Sequence, residues 1–322
     1  MGFSRPPYSV TRPAPIPYAK GDAHGNDFLL VSAGALGRAS TDASGGTSGG
    51  APSRTSDKGL ADLARAMCDR RTGIGADGLI VWQPTPGGAS MKLRNADGSP
   101  AEVSGNGVRC LAALLVELGA SGLAGGKAGG EPTGGEPITI DTAGGARLLE
   151  LLDAAPPRYT FRAHMGVPGG LTEETLTVAG EPVRAVILSV GNPQCVILLP
   201  SLAEAERRLA KLGPALGAHE RFPEGTNVEL AVVERPDRVR IVIWERGVGP
   251  TAASGTGACA SAVAAARYGG AARSVEVVSP GGSQRVEWTA AGMYLTGWAQ
   301  LVERGQWTGG GREVDRVNGP GA

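Results

Sequence analysis

The chain has no surplus of either charge: 31 Lys and Arg stand against 31 Asp and Glu, and no run of like charge exceeds a few residues. Nucleic-acid and membrane-surface partners usually require a concentrated basic face, so neither is expected. Long apolar runs are missing too. None approaches the roughly 20 residues of a membrane-spanning helix, and the first residues lack the apolar core of a signal peptide. Cysteine is scarce. Four residues (Cys68, Cys110, Cys195, Cys259) show no metal-ligand spacing, and a chain this long needs no disulfide staples. These absences lead to the expectation of a soluble, cytoplasmic protein with no metal. At 322 residues there is room for two domains of ordinary size, each with its own core.

Two stretches are also nearly devoid of large apolar side chains. Residues 33–58 and 120–137 are rich in small residues and Gly, and cannot bury enough surface to offset the cost of chain ordering; both are expected to be flexible inserts. Residues 1–17 are Pro-rich and read as a loose extension, and 305–322 as a loose tail. Between these stretches the pattern is regular. Leu60, Leu63, Ala64 and Met67 recur at helical spacing, and the loop Gly73 to Gly78 leads into a strand at Leu79 to Trp82. A strand from Met91 to Arg94 delivers Asn95, and a helix from Gly105 carries Val108, Leu111, Ala112, Leu115 and Leu118. The second half opens with strand-like segments at 138–140 and 147–152. It continues with strands at 183–190, 195–199, 228–233 and 239–244, and a helix at 202–212. An Ala-rich helix from Gly255, a hairpin about Pro280-Gly281-Gly282 and a strand at 293–298 complete it.

One stretch organises this pattern. Asn95 to Cys110 contains Ser104-Gly105-Asn106-Gly107, and Glu245 to Ala258 contains Ser254-Gly255-Thr256-Gly257, 150 positions later. Each Ser-Gly-X-Gly follows a polar loop and runs into an apolar helical pattern. Serine is a favoured helix N-cap, and a helix N-terminus is a ready anion site. Further features repeat in the same order. Gly25-Asn26-Asp27-Phe28 corresponds to Gly191-Asn192-Pro193-Gln194, and Gly73 to Gly78 corresponds to Gly225 to Leu230. The expected fold is α+β: two pseudo-symmetric domains, each a sheet wrapped around a central helix, with the active cleft between them. The division expected is 18–137 and 138–289, with a final strand at 290–304 returning to the first domain.

Together, Gly25-Asn26-Asp27-Phe28, Gly73-Ile74-Gly75-Ala76-Asp77-Gly78, Asn95-Ala96-Asp97-Gly98-Ser99, Gly105-Asn106-Gly107-Val108-Arg109, Gly191-Asn192-Pro193, Thr226-Asn227-Val228, Glu245-Arg246-Gly247 and Gly255-Thr256-Gly257-Ala258 carry a resemblance to the diaminopimelate epimerase family. The resemblance covers nearly the whole chain outside the inserts. It implies a cofactor-independent isomerase of lysine and peptidoglycan biosynthesis that interconverts LL- and meso-2,6-diaminopimelate by moving the α-proton from one face to the other. By the same resemblance Asn26, Asn95, Asn192 and Asn227 hydrogen-bond the substrate and Arg246 pairs with its distal carboxylate. The backbone N–H groups of Gly105, Asn106, Gly255 and Thr256 would hold the reacting carboxylate. Taken singly, each asparagine is as readily a turn residue. The partner implied is a small amino acid; the assembly stays open, a homodimer among the options.

The chain departs from the family where the proton should move. The family's two catalytic cysteines are Ser104 and Ser254 here, and its histidine after Gly-Asn-Pro is Gln194. Pro250 stands where a glutamate is usual. A thiol near pKa ~8.5 becomes a usable base beside a helix N-terminus; a hydroxyl without an adjacent base does not. Glu245 could take a proton from one serine only. Cys110 and Cys259, further along the helices, are expected to be buried and inert. His24, next to Gly25-Asn26, is read as a loop histidine or, alternatively, a substitute base; His164 and His219 are read as surface residues. Two alternatives follow: a non-catalytic amino-acid-binding protein, or a different amino-acid isomerase or dehydratase on the same fold.

Overall fold

The computed structural model describes residues 14–41, 53–119, 136–309 and 312–315. The first half begins with strands β1 (Ile16–Ala23) and β2 (Asn26–Ser32), joined by a turn in which His24 and Gly25 both have positive φ. Helices α1 (Ala33–Thr41) and α2 (Asp57–Cys68) follow, the second capped by Ser56, whose Oγ accepts from Gly59 N at 3.1 Å. Strand β3 (Gly78–Thr85) lies parallel to β2; β4 (Gly88–Asn95) returns antiparallel, and the short β5 (Pro100–Ala101) leads to α3 (Gly105–Glu117). Strands β6 (Ile138–Thr142), β7 (Gly145–Ala155) and β8 (Arg158–Gly166) continue the same sheet, β6 pairing parallel to β4.

The second half repeats this topology. After β9 (Gly169–Val178) come the hairpin β10 (Glu181–Ser189) and β11 (Pro193–Leu198), then α4 (Leu202–Gly217). Strand β12 (Asn227–Arg235) is parallel to β11 as β3 is to β2, and β13 (Arg238–Glu245) is antiparallel to it as β4 is to β3. Strand β14 (Gly249–Thr251) leads to α5 (Gly255–Tyr268), and β15 (Ser274–Ser279) pairs parallel to β13 as β6 does to β4. Strand β16 (Gly282–Thr289) feeds the long β17 (Gly292–Trp307), which pairs with β8 and β16 over its first part and with β1 over its second. A short β18 (Arg312–Asp315) lies against its end. The halves are thus sewn into one continuous sheet.

Each half encloses one helix. Residues 105–115 of α3 and 255–265 of α5 are all buried, which a helix apolar on every side requires. On α5 the small side chains of Ala258, Ala260, Ala262 and Ala264 allow the surrounding strands to approach closely. No helix among the described residues is long and apolar enough to cross a membrane.

Several expectations need correction. Residues 33–41 are not a flexible insert but α1, held down by Leu36, which is fully buried against Ile16, Leu29 and Leu60. That helix carries little large apolar surface of its own, so only its docking stabilises it. The insert's other end belongs to α2; residues 42–52 lie outside the described residues, as do 120–135 of the second insert. The N-terminal extension is shorter than 17 residues, because the fully buried Ile16 opens β1 opposite Trp307. The tail is not wholly loose: β17 runs on to Trp307, which packs on the Ile16 cluster. Helix α4 continues past 212 to Gly217, with Pro214 inside it. The pairing of β6 to β4 means that 138 is no break in the sheet. Strands β8 and β9 were not read from the sequence.

Candidate active site

The two Ser-Gly-X-Gly stretches are helix starts. Ser104 (φ −130°, ψ 120°) and Ser254 (φ −138°, ψ 127°) are extended N-cap residues. Their Oγ atoms accept from Gly107 N at 3.0 Å and from Gly257 N at 3.1 Å. The ends of α3 and α5 meet glycine to glycine: a Cβ placed on Gly105 would lie 3.2 Å from Gly255 Cα, and one on Gly255 would lie 3.2 Å from Gly105 Cα. Only residues without side chains let the two first turns come this close. The N–H groups of Gly105, Asn106, Gly255 and Thr256 precede the capped ones, and first-turn donors have no partner within their own helix. Two helix dipoles therefore converge on one spot with their positive ends.

That spot is the floor of a cleft of about 1000 Å³ between the halves. Ser104, Gly105, Asn106, Ser254, Gly255 and Thr256 line it, as do Asn26, Asn95, Asn192, Asn227, Glu245 and Arg246. Of the site residues expected from the sequence, Gln194 alone does not. It is fully buried one layer behind, where its side-chain amide lies 3.1 Å from Thr256 Oγ1 and 2.7 Å from Asn192 Oδ1.

Each asparagine also does local structural work. Asn227 Oδ1 accepts from Arg246 N (2.9 Å), tying the β12 start to the β13 end; Asn95 Nδ2 donates to Ser99 Oγ (2.9 Å) within its own turn. Asn26 Nδ2 donates to Asp77 Oδ2 (3.4 Å), and its Oδ1 accepts from Asn106 Nδ2. Asn106 in turn accepts from the fully buried Arg109, whose Nε and Nη1 have no partner. The turn reading and the pocket reading of these residues are therefore compatible. Arg246 is exposed at the mouth, where its Nη1 donates to Glu224 O at 3.0 Å.

The carboxyl groups that line the cleft are Asp69, Asp77, Asp97, Glu102 and Glu245. Burial raises the Glu245 carboxyl to a pKa of about 7, although the hydrogen bond from Thr251 Oγ1 (2.9 Å) opposes the shift. That bond goes to Thr251; both serine hydroxyls are engaged as caps. On the other wall, Arg70 bridges Asp27 and Asp77 at 2.8 Å to each. His24 is no base for this cleft. It is fully buried away from it, accepts from Trp298 N (3.3 Å), and has its pKa lowered to about 3 by burial and then by Arg109 and Arg158. Cys110 and Cys259 are fully buried and off the cleft wall, and burial raises Cys259 to about 12. Cys68, which the sequence reading passed over, reaches the wall, but burial raises it too to about 12. His164 and His219 are half-buried and do not line the cleft. Among the described residues no group of three or more His, Cys, Asp or Glu is placed to hold a metal ion.

The sequence reading missed Thr251 and Glu229. Glu229 interrupts an apolar strand on the same face as Asn227 and Ala231, so a carboxylate at a core-facing position of β12 was the available signal.

Two pseudo-symmetric halves with opposed helix starts define an architecture known in epimerases. A predicted epimerase from Pseudomonas aeruginosa superposes with a TM-score of 0.62 at 17% identity, over 91% of this chain and 99% of that one. A hydroxyproline epimerase from Agrobacterium vitis superposes with a TM-score of 0.59 at 14% identity, over 97% and 94%. At these identities the likeness is one of fold. The sequence goes further. A model of the diaminopimelate epimerase family matches residues 52–168 and 186–302. The diaminopimelate epimerase of Carboxydothermus hydrogenoformans is 37% identical over 264 residues, covering 78% of this chain and 90% of the relative. That of Desulforudis audaxviator is 36% identical over 301 residues, covering 88% and 96%. The chain belongs to the diaminopimelate epimerase family, a family of isomerases.

Proposed function

We propose that the cleft binds 2,6-diaminopimelate, or a closely similar diamino dicarboxylate, and inverts its α-carbon slowly. The observation that carries this reading is the glycine-to-glycine contact of the two helix starts. It aims four first-turn N–H groups at one point, the arrangement that a carboxylate and the charge developing beside it require. The asparagines would hold the reacting amino-acid end, and Arg246 at the mouth offers its fork to the distal carboxylate. Ser104 and Ser254 flank the α-carbon position from opposite helices, which suits removal of a proton on one face and its return on the other. A hydroxyl is a poor base near neutral pH, and Glu245 is the wall carboxyl whose pKa suits proton transfer there. One base without a matched partner makes inversion slow.

The lining of the cleft comes from one chain; the partner we propose is a small amino acid, with no nucleic-acid or membrane partner and a cytoplasmic location, and a homodimer stays among the options. A second reading, binding without turnover, is favoured by the engagement of both hydroxyls as helix caps. Incubation with LL-diaminopimelate in D₂O, with the α-proton signal followed by NMR and binding by calorimetry, separates the two. Slow exchange with binding supports inversion, binding with no exchange supports the second reading, and absence of binding overturns both.

A further inference from the structure

Behind the α5 side of the cleft lies a carboxyl group that the proposed chemistry does not use. Glu229 on β12 is fully buried, and its side chain runs beneath the first turn of α5: a Cβ placed on Gly257 would lie 2.5 Å from its Oε1. Gln194 separates it from the cleft, beside Asn227 in the parallel pairing of β11 and β12. With Gln194 Nε2 donating to Asn192 and Thr256, the amide oxygen faces Glu229 Oε1 across 3.0 Å, and Nε2 faces Asn227 Nδ2, also a donor, across 3.1 Å. Two oxygens tolerate that separation when the carboxyl carries a proton and donates it. After a half-turn of the amide, Nε2 instead donates to Glu229 Oε1 (3.0 Å) and Oε2 (3.3 Å), and the oxygen accepts from Thr256 Oγ1 (3.1 Å) and Asn227 Nδ2 (3.1 Å). That second orientation, with Asn192 turning alongside, suits an ionised carboxylate.

Thr256 passes the difference on to the cleft, because its Oγ1 lies 3.4 Å from Ser254 Oγ. A hydroxyl has a single proton to give. If Gln194 donates to Thr256, the Thr256 proton points at Ser254, and Ser254 turns its own proton toward the cleft. If Gln194 accepts the Thr256 proton, Ser254 donates to Thr256 and presents a lone pair instead.

We propose that Glu229 is a positioning residue: acting through Gln194 and Thr256, its carboxyl sets whether Ser254 meets the substrate as hydrogen-bond donor or acceptor. The role toward substrate rests on the functional reading above; the coupling of Glu229 to Gln194 does not. The groups around Glu229 are Gln194 and Cys195 from β11, Glu245 from β13, and Gly257 from α5. None of these is a cation. Burial, and then the charge of Glu245, push the Glu229 carboxyl well above the usual carboxylate range, which favours the donor arrangement of Ser254, whereas Asn227 Nδ2, whose Oδ1 is held by Arg246 N, favours the acceptor arrangement.

The test uses the full chain, as wild type, Glu229→Gln and Glu229→Met. Carbon-13 NMR of carboxyl-labelled glutamate in the wild type should show one carboxyl that titrates well above the usual carboxylate range, and that signal should be lost in Glu229→Gln. The Gln194 side-chain NH₂ resonances should keep their wild-type positions in Glu229→Gln, whose amide can donate in place of the acid. They should shift in Glu229→Met, which cannot donate. A wild-type Glu229 that titrates as an ordinary carboxylate, or Gln194 resonances identical in all three proteins, would overturn the proposal. If Glu229→Met fails to fold, the wild-type titration and Glu229→Gln decide the matter. Failure of the wild type to bind diaminopimelate would instead refute the functional reading.

Discussion

Restoring a thiol at both helix starts, Ser104→Cys together with Ser254→Cys, should move activity and stability in opposite directions. Each serine Oγ caps its helix, at 3.0 Å to Gly107 N and 3.1 Å to Gly257 N. Sulfur is a weaker acceptor. Loss of an N-cap costs about 0.5–2 kcal/mol, so the pair should cost about 1–4 kcal/mol, and at roughly 2–4 °C per kcal/mol Tm should fall by several degrees. The chemistry gains. A helix N-terminus favours an adjacent anion by about 0.3–1 kcal/mol, which at ~1.36 kcal/mol per pKa unit brings a thiol from ~8.5 to near 8. An appreciable fraction is then thiolate at neutral pH, where a hydroxyl has almost none. Positioned acid–base groups contribute roughly 10²–10⁴-fold, and that is the expected gain in α-proton exchange from LL-diaminopimelate in D₂O. Exchange by NMR, binding by calorimetry and melting should be followed on the same samples. Retained binding with no gain in exchange would refute the argument that the hydroxyls limit the rate. An unchanged Tm would refute the capping argument.

Three further outcomes are expected. Gly255→Ala places a Cβ 3.0 Å from Leu295 Cδ2 and 3.2 Å from Gly105 Cα; denaturant melts should show a loss of about 1–3 kcal/mol, and calorimetry should show diaminopimelate affinity reduced more than tenfold. The folded-state pKa of Glu245, raised from 4.5 to about 7, makes the native state bind more protons than the unfolded one across that interval. This contribution to stability therefore falls as pH rises from about 4.5 to 7, and Glu245→Gln should remove that part of the slope in Tm measured at several pH values. Leu111 is fully buried at the centre of the first half, so Leu111→Ala should cost about 2–5 kcal/mol in a denaturant titration; a loss below 1 kcal/mol would contradict the helix-in-sheet packing.

Much of the fold was legible because it is written twice. The polar loops, the Ser-Gly-X-Gly starts and the apolar helices recur in order, and local chemistry alone accounts for them: serine caps, glycine permits close approach, and apolar side chains on every face demand an enclosing sheet. That logic paired Ser104 with Ser254, whereas the four asparagines were assigned to the same cleft only through the resemblance to the family. What the sequence left undecided depends on neighbours distant along the chain. Helix α1 exists because Leu36 finds a pocket, and the end of β17 is ordered because β1 lies beside it; neither segment could hold its shape alone. His24 and Gln194 adjoin site motifs in sequence, yet the turn and strand that carry them point their side chains into the interior. Glu229 entered the site only through contacts that strand pairing creates. Composition and periodicity determined most of the elements and the cradle formed by the paired helix starts. Only the packing of the two halves decided which groups in and behind that cradle can hold or give a proton, because burial and hydrogen-bond direction are properties of the assembled interior.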